Sequence, residues 1–173
     1  MIDSATLIRD NTGYLRQATN LIHQLSDDLY ANNNSPFFRS GAGRHIRHIL
    51  GFYQCFLIGQ DGKIDYDARN RDERVETDRD YAIGQIENVV GALSDASAKG
   101  WENIDLRVKN DDLEERSGDA GFSRSTIQRE LQFLASHTVH HFAIVAMILK
   151  IQGFETPDTF GVAPSTLKYE NRL

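Results

Sequence analysis

Four stretches of the chain repeat apolar residues at the spacing of an amphipathic helix. They run from residue 4 to about 31, from 40 to about 59, from 78 to about 98 and from 125 to about 152. Apolar residues three and four positions apart lie on one face of a helix, and none of the three prolines falls inside these stretches. The pattern therefore predicts an all-α protein whose four helices form a four-helix bundle. Candidate N-capping residues precede three of the helices: Asp3 or Ser4, Ser40 and Asp78.

The two longer connections depart from the helical pattern. Residues 60–77 carry mixed charge with little periodicity, which predicts a long crossover loop. This loop is either a solvated connection or a charged flap that covers a site. Residues 104–109 alternate apolar and polar side chains, which predicts a small hairpin near 101–124. Glycine and proline recur after the last helix, so we expect an irregular tail from about residue 154.

Composition narrows the class of protein. The chain has 173 residues, which predicts a single domain, and its 19 basic and 25 acidic residues give a net charge of −6. That balance argues against nucleic acid or an anionic membrane as a partner. Cys55 has no second cysteine to pair with, and the N-terminus lacks the pattern of a signal peptide. The longest apolar run, Phe142–Leu149, is far shorter than the roughly 20 residues of a membrane span. We expect a cytoplasmic protein.

Histidines supply the candidate chemistry. Three of the six lie within residues 137–141, and His137 and His141 are four positions apart, on one helical face. His48 lies on the apolar seam of the second helix, four residues before Phe52. Three imidazoles that meet inside a bundle suit a transition metal, and three protein ligands leave coordination positions open for a reaction. The alternative is that the histidines are only hydrogen-bonded in the core, and the spacing leaves both interpretations open.

The segment Gly43–Leu50, followed much later by residues 137–141, resembles the DinB/YfiT-like superfamily of metal-dependent enzymes. Its members carry histidine, two residues and a second, ligating histidine on helix two, and histidine-x-x-x-histidine on the last long helix. Matched position by position, the resemblance implies metal ligands at His48, His137 and His141, with His45 and His140 as supporting neighbours. It implies one divalent transition metal, zinc or nickel, with iron as a further candidate. Phe142 departs from the family, which often has a polar or basic residue there.

The resemblance also implies a function. Relatives include thiol-dependent transferases and isomerases, in which a metal activates a low-molecular-weight thiol. We therefore expect a metal-dependent transferase or hydrolase that acts on small molecules, with Arg47, Arg69 or Arg71 available to hold an anionic substrate group. The alternative is a non-catalytic, metal-binding or stress-associated protein, in which the metal ties helices together. The family often forms dimers, which implies a homodimer.

Overall fold

The computed structural model describes residues 3–34, 37, 40–59, 62–98, 104–110 and 118–170. These residues form the helices α1 (Ser4–Gln24), α2 (Asp27–Ala31), α3 (Ala42–Ile58), α4 (Arg74–Thr77), α5 (Arg79–Ala98), α6 (Ile127–Ile151) and α7 (Pro164–Tyr169). They also form the strands β1 (Lys63–Asp65), β2 (Asp105–Lys109) and β3 (Ser123–Thr126). The prediction of a mainly helical protein is confirmed, and a small three-stranded sheet is added to it.

The long helices enclose the core. α1 packs against α5 and α6, and α3 packs against the same two helices. Apolar residues from all four fill the space between them: Leu15, Ile22, Leu50, Phe56, Ile86, Leu93, Leu131 and Phe142. By length and composition, α6 would be able to cross a membrane, but its buried face packs into this core, as in many soluble proteins. This packing places the inner faces of α3 and α6 side by side.

A buried polar network also joins α1, α3 and α6. Asn11 donates from Nδ2 to the carbonyl oxygens of Leu7 and Leu131, at 2.8 and 3.0 Å. Tyr53 donates its hydroxyl proton to Asn11 Oδ1 at 2.6 Å, and Thr138 Oγ1 lies 3.2 Å from the same hydroxyl. Because buried polar groups without partners are costly, this network fixes the rotation of α6 relative to the other two helices.

The helix boundaries agree with the sequence pattern at most ends. Asp3 caps α1 by accepting from the Thr6 N–H at 2.7 Å, and Asp78 accepts from the Tyr81 N–H at 2.9 Å at the start of α5. Ser40 does not cap α3: Gly41 is the N-cap and makes no side-chain capping bond. The prediction of a capping role for Ser40 is therefore wrong.

The first predicted helix, residues 4–31, is two helices. α1 ends before Leu25, and Ser26 caps α2 by accepting from the Leu29 N–H at 3.2 Å. Arg79 donates to the Leu25 carbonyl oxygen at the end of α1. Its Nε also forms an ion pair with Asp27 Oδ1 at 2.5 Å. Leu25 and Leu29 maintain the apolar spacing across the break, so periodicity alone could not reveal it.

The predicted crossover loop at residues 60–77 is only partly a loop, because it contains β1 and α4. Ile64 in β1 is buried, and Val75 in α4 is buried beneath Tyr30, whose hydroxyl donates to the Val75 carbonyl at 2.6 Å. One apolar anchor in each short element is enough to fold this segment onto α3. Such short elements are below the length at which periodicity is visible in a sequence.

The predicted hairpin near 101–124 corresponds to β2 and β3, which pair antiparallel with Leu106 opposite Ser125. β3 extends two residues past the predicted range, and residues 101–103 and 111–117 lie outside the described part of the chain. β1 adds in parallel on the other edge of β2, with Lys63 opposite Arg107. The predicted all-α class therefore holds roughly, with one small three-stranded sheet beside the helices.

The tail predicted to be irregular contains α7. Leu167 in this helix is buried, and Pro164 occupies its first turn, where a missing N–H has no cost. Before α7, the Phe160 ring stacks on Phe142 of α6 at 4.5 Å between centroids. Gly161 follows with φ +74°, and a Cβ there would lie 2.5 Å from the Ala143 backbone nitrogen. The tail therefore packs directly against α6.

Candidate metal centre

α3 and α6 bring together the three histidines that the sequence indicates. His48 comes from α3, and His137 and His141 lie one turn apart on α6. One potential ligand atom from each of them lies within 4.8 Å of the other two. All three side chains are partly buried, and this group contains no carboxylate or thiol among the described residues. The three histidines could therefore hold a metal ion with neutral nitrogen ligands only.

The separation of two of these nitrogens matches the requirement of a metal site. His48 Nε2 and His137 Nε2 lie 3.0 Å apart. In a tetrahedral zinc site with nitrogens about 2.0–2.1 Å from the ion, two ligand nitrogens lie about 3.3 Å apart. As a hydrogen bond, this contact puts a proton on one of the two Nε2 atoms, and that ring would bind a metal through Nε2 as its other tautomer, with the proton on Nδ1. The donor set and its spacing thus fit a divalent transition metal.

His45 contacts the third candidate ligand, His141, on the ring nitrogen that would face away from a metal. Nδ1 of His45 lies 2.9 Å from Nδ1 of His141, and Nε2 of His45 lies 2.9 Å from Ser40 Oγ. Two tautomer assignments satisfy both contacts, and a metal on His141 Nε2 would select the one in which His141 Nδ1–H donates to His45 and His45 Nε2–H donates to Ser40. Nε2 of His141 then retains its lone pair for a metal. Such a hydrogen bond at the non-ligating nitrogen orients the ring of a metal-binding histidine.

The surroundings keep the imidazoles of His45, His48 and His141 neutral. Burial, followed by the neighbouring His137, lowers the pKa of His48 to about 3. Burial, followed by the charges that His48 and His137 would carry, lowers the pKa of His141 to about 2. Burial is also the main cause of the lowered pKa of His45. Because a protonated imidazole cannot bind a metal, the lowered pKa values favour metal binding at neutral pH.

Aromatic side chains form one wall of the histidine cluster. The Phe52 ring lies 4.4 Å from that of His137 and 5.0 Å from that of His48, measured between centroids. Phe133 stacks on His137 at 5.4 Å, and Tyr66 stacks on the Phe52 ring at 4.9 Å. This wall makes one side of the site apolar and limits the access of water.

Behind the wall, Tyr66 is anchored to a buried carboxylate. Its hydroxyl donates to Glu130 Oε2 at 2.9 Å, and the Ser125 hydroxyl donates to the other oxygen of Glu130. Burial, followed by the Glu130 charge, raises the pKa of Tyr66 far above its ordinary value. The neutral phenol therefore fixes the segment after β1 against α6. No spacing rule links residues 66 and 130, so this pair cannot be found from the sequence alone.

The three candidate arginines occupy different places. Arg47 forms a partly buried ion pair with Glu76, with its Nε 2.5 Å from Oε1. Arg71 is exposed. Arg69 donates from an Nη atom to the Tyr66 carbonyl at 2.6 Å, and its guanidinium carbon lies 4.7 Å from the Phe52 ring centroid. Of the three arginines, only Arg69 thus contacts the aromatic wall of the cluster.

Two further side chains lie outside the cluster. His140 is exposed, and its ring lies 5.1 Å from that of His141. Cys55 lines a separate cleft of about 470 Å³ between α3 and α5, which none of the histidines borders. Burial raises the pKa of the Cys55 thiol, so that it stays protonated at neutral pH. A role for Cys55 as an additional ligand gains no support from this geometry.

The fold and the site together define a mainly helical protein with a three-histidine cluster between two long helices. No protein-family model matches the chain, and no solved structure matches it. The chain is 29% identical over 111 residues to FK506-binding protein 5 of Rhizopus delemar, which covers 61% of this chain. It spans only 27% of the length of that protein. The comparisons assign no family, so the interpretation of the site depends on its geometry.

Proposed function

We propose that this chain is a DinB-like protein that binds one divalent transition metal at His48, His137 and His141. The observation that carries the proposal is the convergence of three potential ligand atoms within 4.8 Å. The resemblance of the motifs supports it, as does the packing of α1 and α3 against both α5 and α6, which is consistent with a four-helix bundle of the DinB/YfiT type. Zinc and nickel suit the imidazole donors best, and iron is the next candidate.

The proposed activity is a metal-dependent transfer or hydrolysis that acts on a small molecule or a low-molecular-weight thiol. A metal with only three protein ligands retains open positions and would act as a Lewis acid towards the substrate or thiol. His45 would hold His141 in the ligating orientation through the contact between their Nδ1 atoms. Phe52 and Phe133 would keep water away from one side of the reacting groups. We further propose that the protein is cytoplasmic, in keeping with its single cysteine, and, by resemblance alone, that it is a homodimer.

A second candidate is a metal-binding protein without catalysis. It is favoured by the position of the ligands, because His48 and His137 are 89 residues apart in sequence and belong to different helices. A metal that links α3 to α6 would contribute directly to the free energy of folding.

Replacement of His141 by alanine distinguishes the two candidates. The metal content, the thermal midpoint and thiol transfer to electrophilic acceptors are measured, with glutathione, bacillithiol, mycothiol and coenzyme A as thiols. If the protein is an enzyme, the wild type is active with one of these thiols, and the variant loses activity while its midpoint changes little. The matched control is His140→Ala, on the same helix but exposed, which should retain metal and activity.

A large loss of thermal stability in His141→Ala, with no activity found in the wild type, would favour the structural metal. Absence of metal from wild-type protein purified without a nickel column, with no uptake on titration, would exclude both candidates.

A further inference from the structure

Arg69 is held at two points beside the histidine cluster. Its guanidinium carbon lies 4.7 Å from the Phe52 ring centroid, and one Nη donates to the Tyr66 carbonyl at 2.6 Å. The same Phe52 ring lies 5.0 and 4.4 Å from the rings of His48 and His137. A guanidinium fixed in this way is preorganised, so little side-chain entropy remains to be lost on binding a ligand.

Among the described residues, Arg69 has no carboxylate partner. Arg47, Arg74 and Arg79 each form an ion pair with a carboxylate. Arg69 is partly buried, and its partners within the described ranges are a carbonyl oxygen and an aromatic face. These partners do not neutralise its charge, and a partly desolvated cation is stabilised by an anion. A guanidinium has five N–H donors, of which the structure uses one in a hydrogen bond within the described chain.

The charge balance of the centre also favours an anionic ligand. The three histidines are neutral ligands, so a divalent metal would keep its full charge there, and the cluster includes no acidic residue among those described. Arg69 adds a further positive charge at the wall of the site. The Glu130 carboxylate behind this wall is bound by the Tyr66 and Ser125 hydroxyls and forms no ion pair with Arg69 among the described residues. A site with this balance attracts small anions.

We infer that the substrate of this centre carries a carboxylate and that Arg69 binds it. The inference rests on the proposed function, since it assumes that a metal occupies the three-histidine centre. The planar guanidinium matches a carboxylate in a two-point contact. One guanidinium can satisfy both oxygens of a carboxylate in this way, but not all three acceptor oxygens of a phosphate group.

Anion binding to cobalt-loaded protein tests this assignment. Cobalt(II) is used as a visible probe of the metal site, and acetate is titrated while the absorption spectrum is followed. In Arg69→Gln, we expect the dissociation constant for acetate to rise at least about tenfold, because the two-point contact and its charge are lost and a hydrogen bond to a charged group contributes about a factor of ten or more. Arg69→Lys should recover part of the loss, because lysine restores the positive charge but not the planar guanidinium with its paired N–H donors. The matched control is Arg71→Gln, two residues away and exposed, which should bind acetate like the wild type.

Three other outcomes would contradict the metal site, the role of Arg69 or the choice of a carboxylate, respectively. If the wild type takes up no cobalt, the proposed function fails, and this inference fails with it. If cobalt binds and Arg69→Gln binds acetate as tightly as the wild type, the role of Arg69 alone is refuted. Tighter binding of inorganic phosphate than of acetate, with the same dependence on Arg69, would refute the carboxylate assignment.

Arg69 also supports the Tyr66 carbonyl, so Arg69→Gln will be checked for folding by circular dichroism. If it does not fold, Arg69→Lys tests the role of Arg69 in its place, and the wild type tests the preference for an anion by comparison of two probes of the same shape. Acetate should shift the absorption spectrum of the cobalt site, and neutral acetamide should leave it unchanged. Equal binding of acetate and acetamide would contradict an anion site.

Discussion

At the residue scale, the histidines are distinguished by their neighbours rather than by their spacing. His45 and His140 both lie close to His141, and the family resemblance implies the same supporting role for both. In the structure, His45 is partly buried and lies within hydrogen-bond distance of His141 and Ser40, whereas His140 is exposed. Only His45 is therefore placed to orient a ligand ring. Ser40, expected to be a helix cap, instead completes this chain of hydrogen bonds.

Replacement of His45 by phenylalanine should weaken zinc binding. An aromatic ring is kept, in a larger form, but the acceptor for His141 Nδ1–H is lost, and loss of such a partner typically reduces metal affinity by about 10–100-fold. The measurement is competition for zinc with a chromophoric chelator. His140→Phe is the control and should bind zinc within about twofold of the wild type, because its ring makes no hydrogen bond to the non-ligating nitrogen. Unchanged affinity in His45→Phe would show that His141 needs no such support.

At the element scale, periodicity predicted the long helices and failed for the short ones. α3, α5 and α6 begin and end within about two residues of their predicted bounds, because each buries one continuous apolar face. β1, α4 and α7 have three to six residues each, too few for a period to show. Their positions depend on single buried anchors such as Ile64 and Val75, which become visible only when the rest of the chain is folded.

The contact between the tail and α6 gives a test at this scale. Gly161→Ala should lower the free energy of unfolding by about 2–4 kcal/mol, since it adds a clash with the Ala143 nitrogen to the cost of a positive φ. Gly153→Ala is the matched control: its φ is +82°, but nothing lies within 4 Å of the added Cβ. It should lose only the conformational part, about 1–2 kcal/mol. Urea denaturation measures both, and equal losses would mean that the tail does not pack closely on α6.

At the scale of the whole molecule, the candidate site is a product of long-range packing. The sequence could predict which histidines share a helical face, and the structure places His48 against the pair on α6 as the pattern indicated. It could not predict the bond of His45 to His141 or the position of Arg69, because both depend on how α3, α6 and the segment after β1 come together. Residues far apart in sequence therefore form the site only in the folded chain, and a metal bound there would stabilise that fold.

The most direct test of the three-histidine centre is a count of bound metal. Wild-type protein, and a variant in which His48, His137 and His141 are all replaced by alanine, would be dialysed to equilibrium against zinc and assayed by elemental analysis. Circular dichroism would confirm that the variant is folded. We predict about one zinc per wild-type chain and none in the folded variant, as expected for a single site built from these ligands. Equal zinc in both proteins, or no zinc in the wild type, would contradict the account.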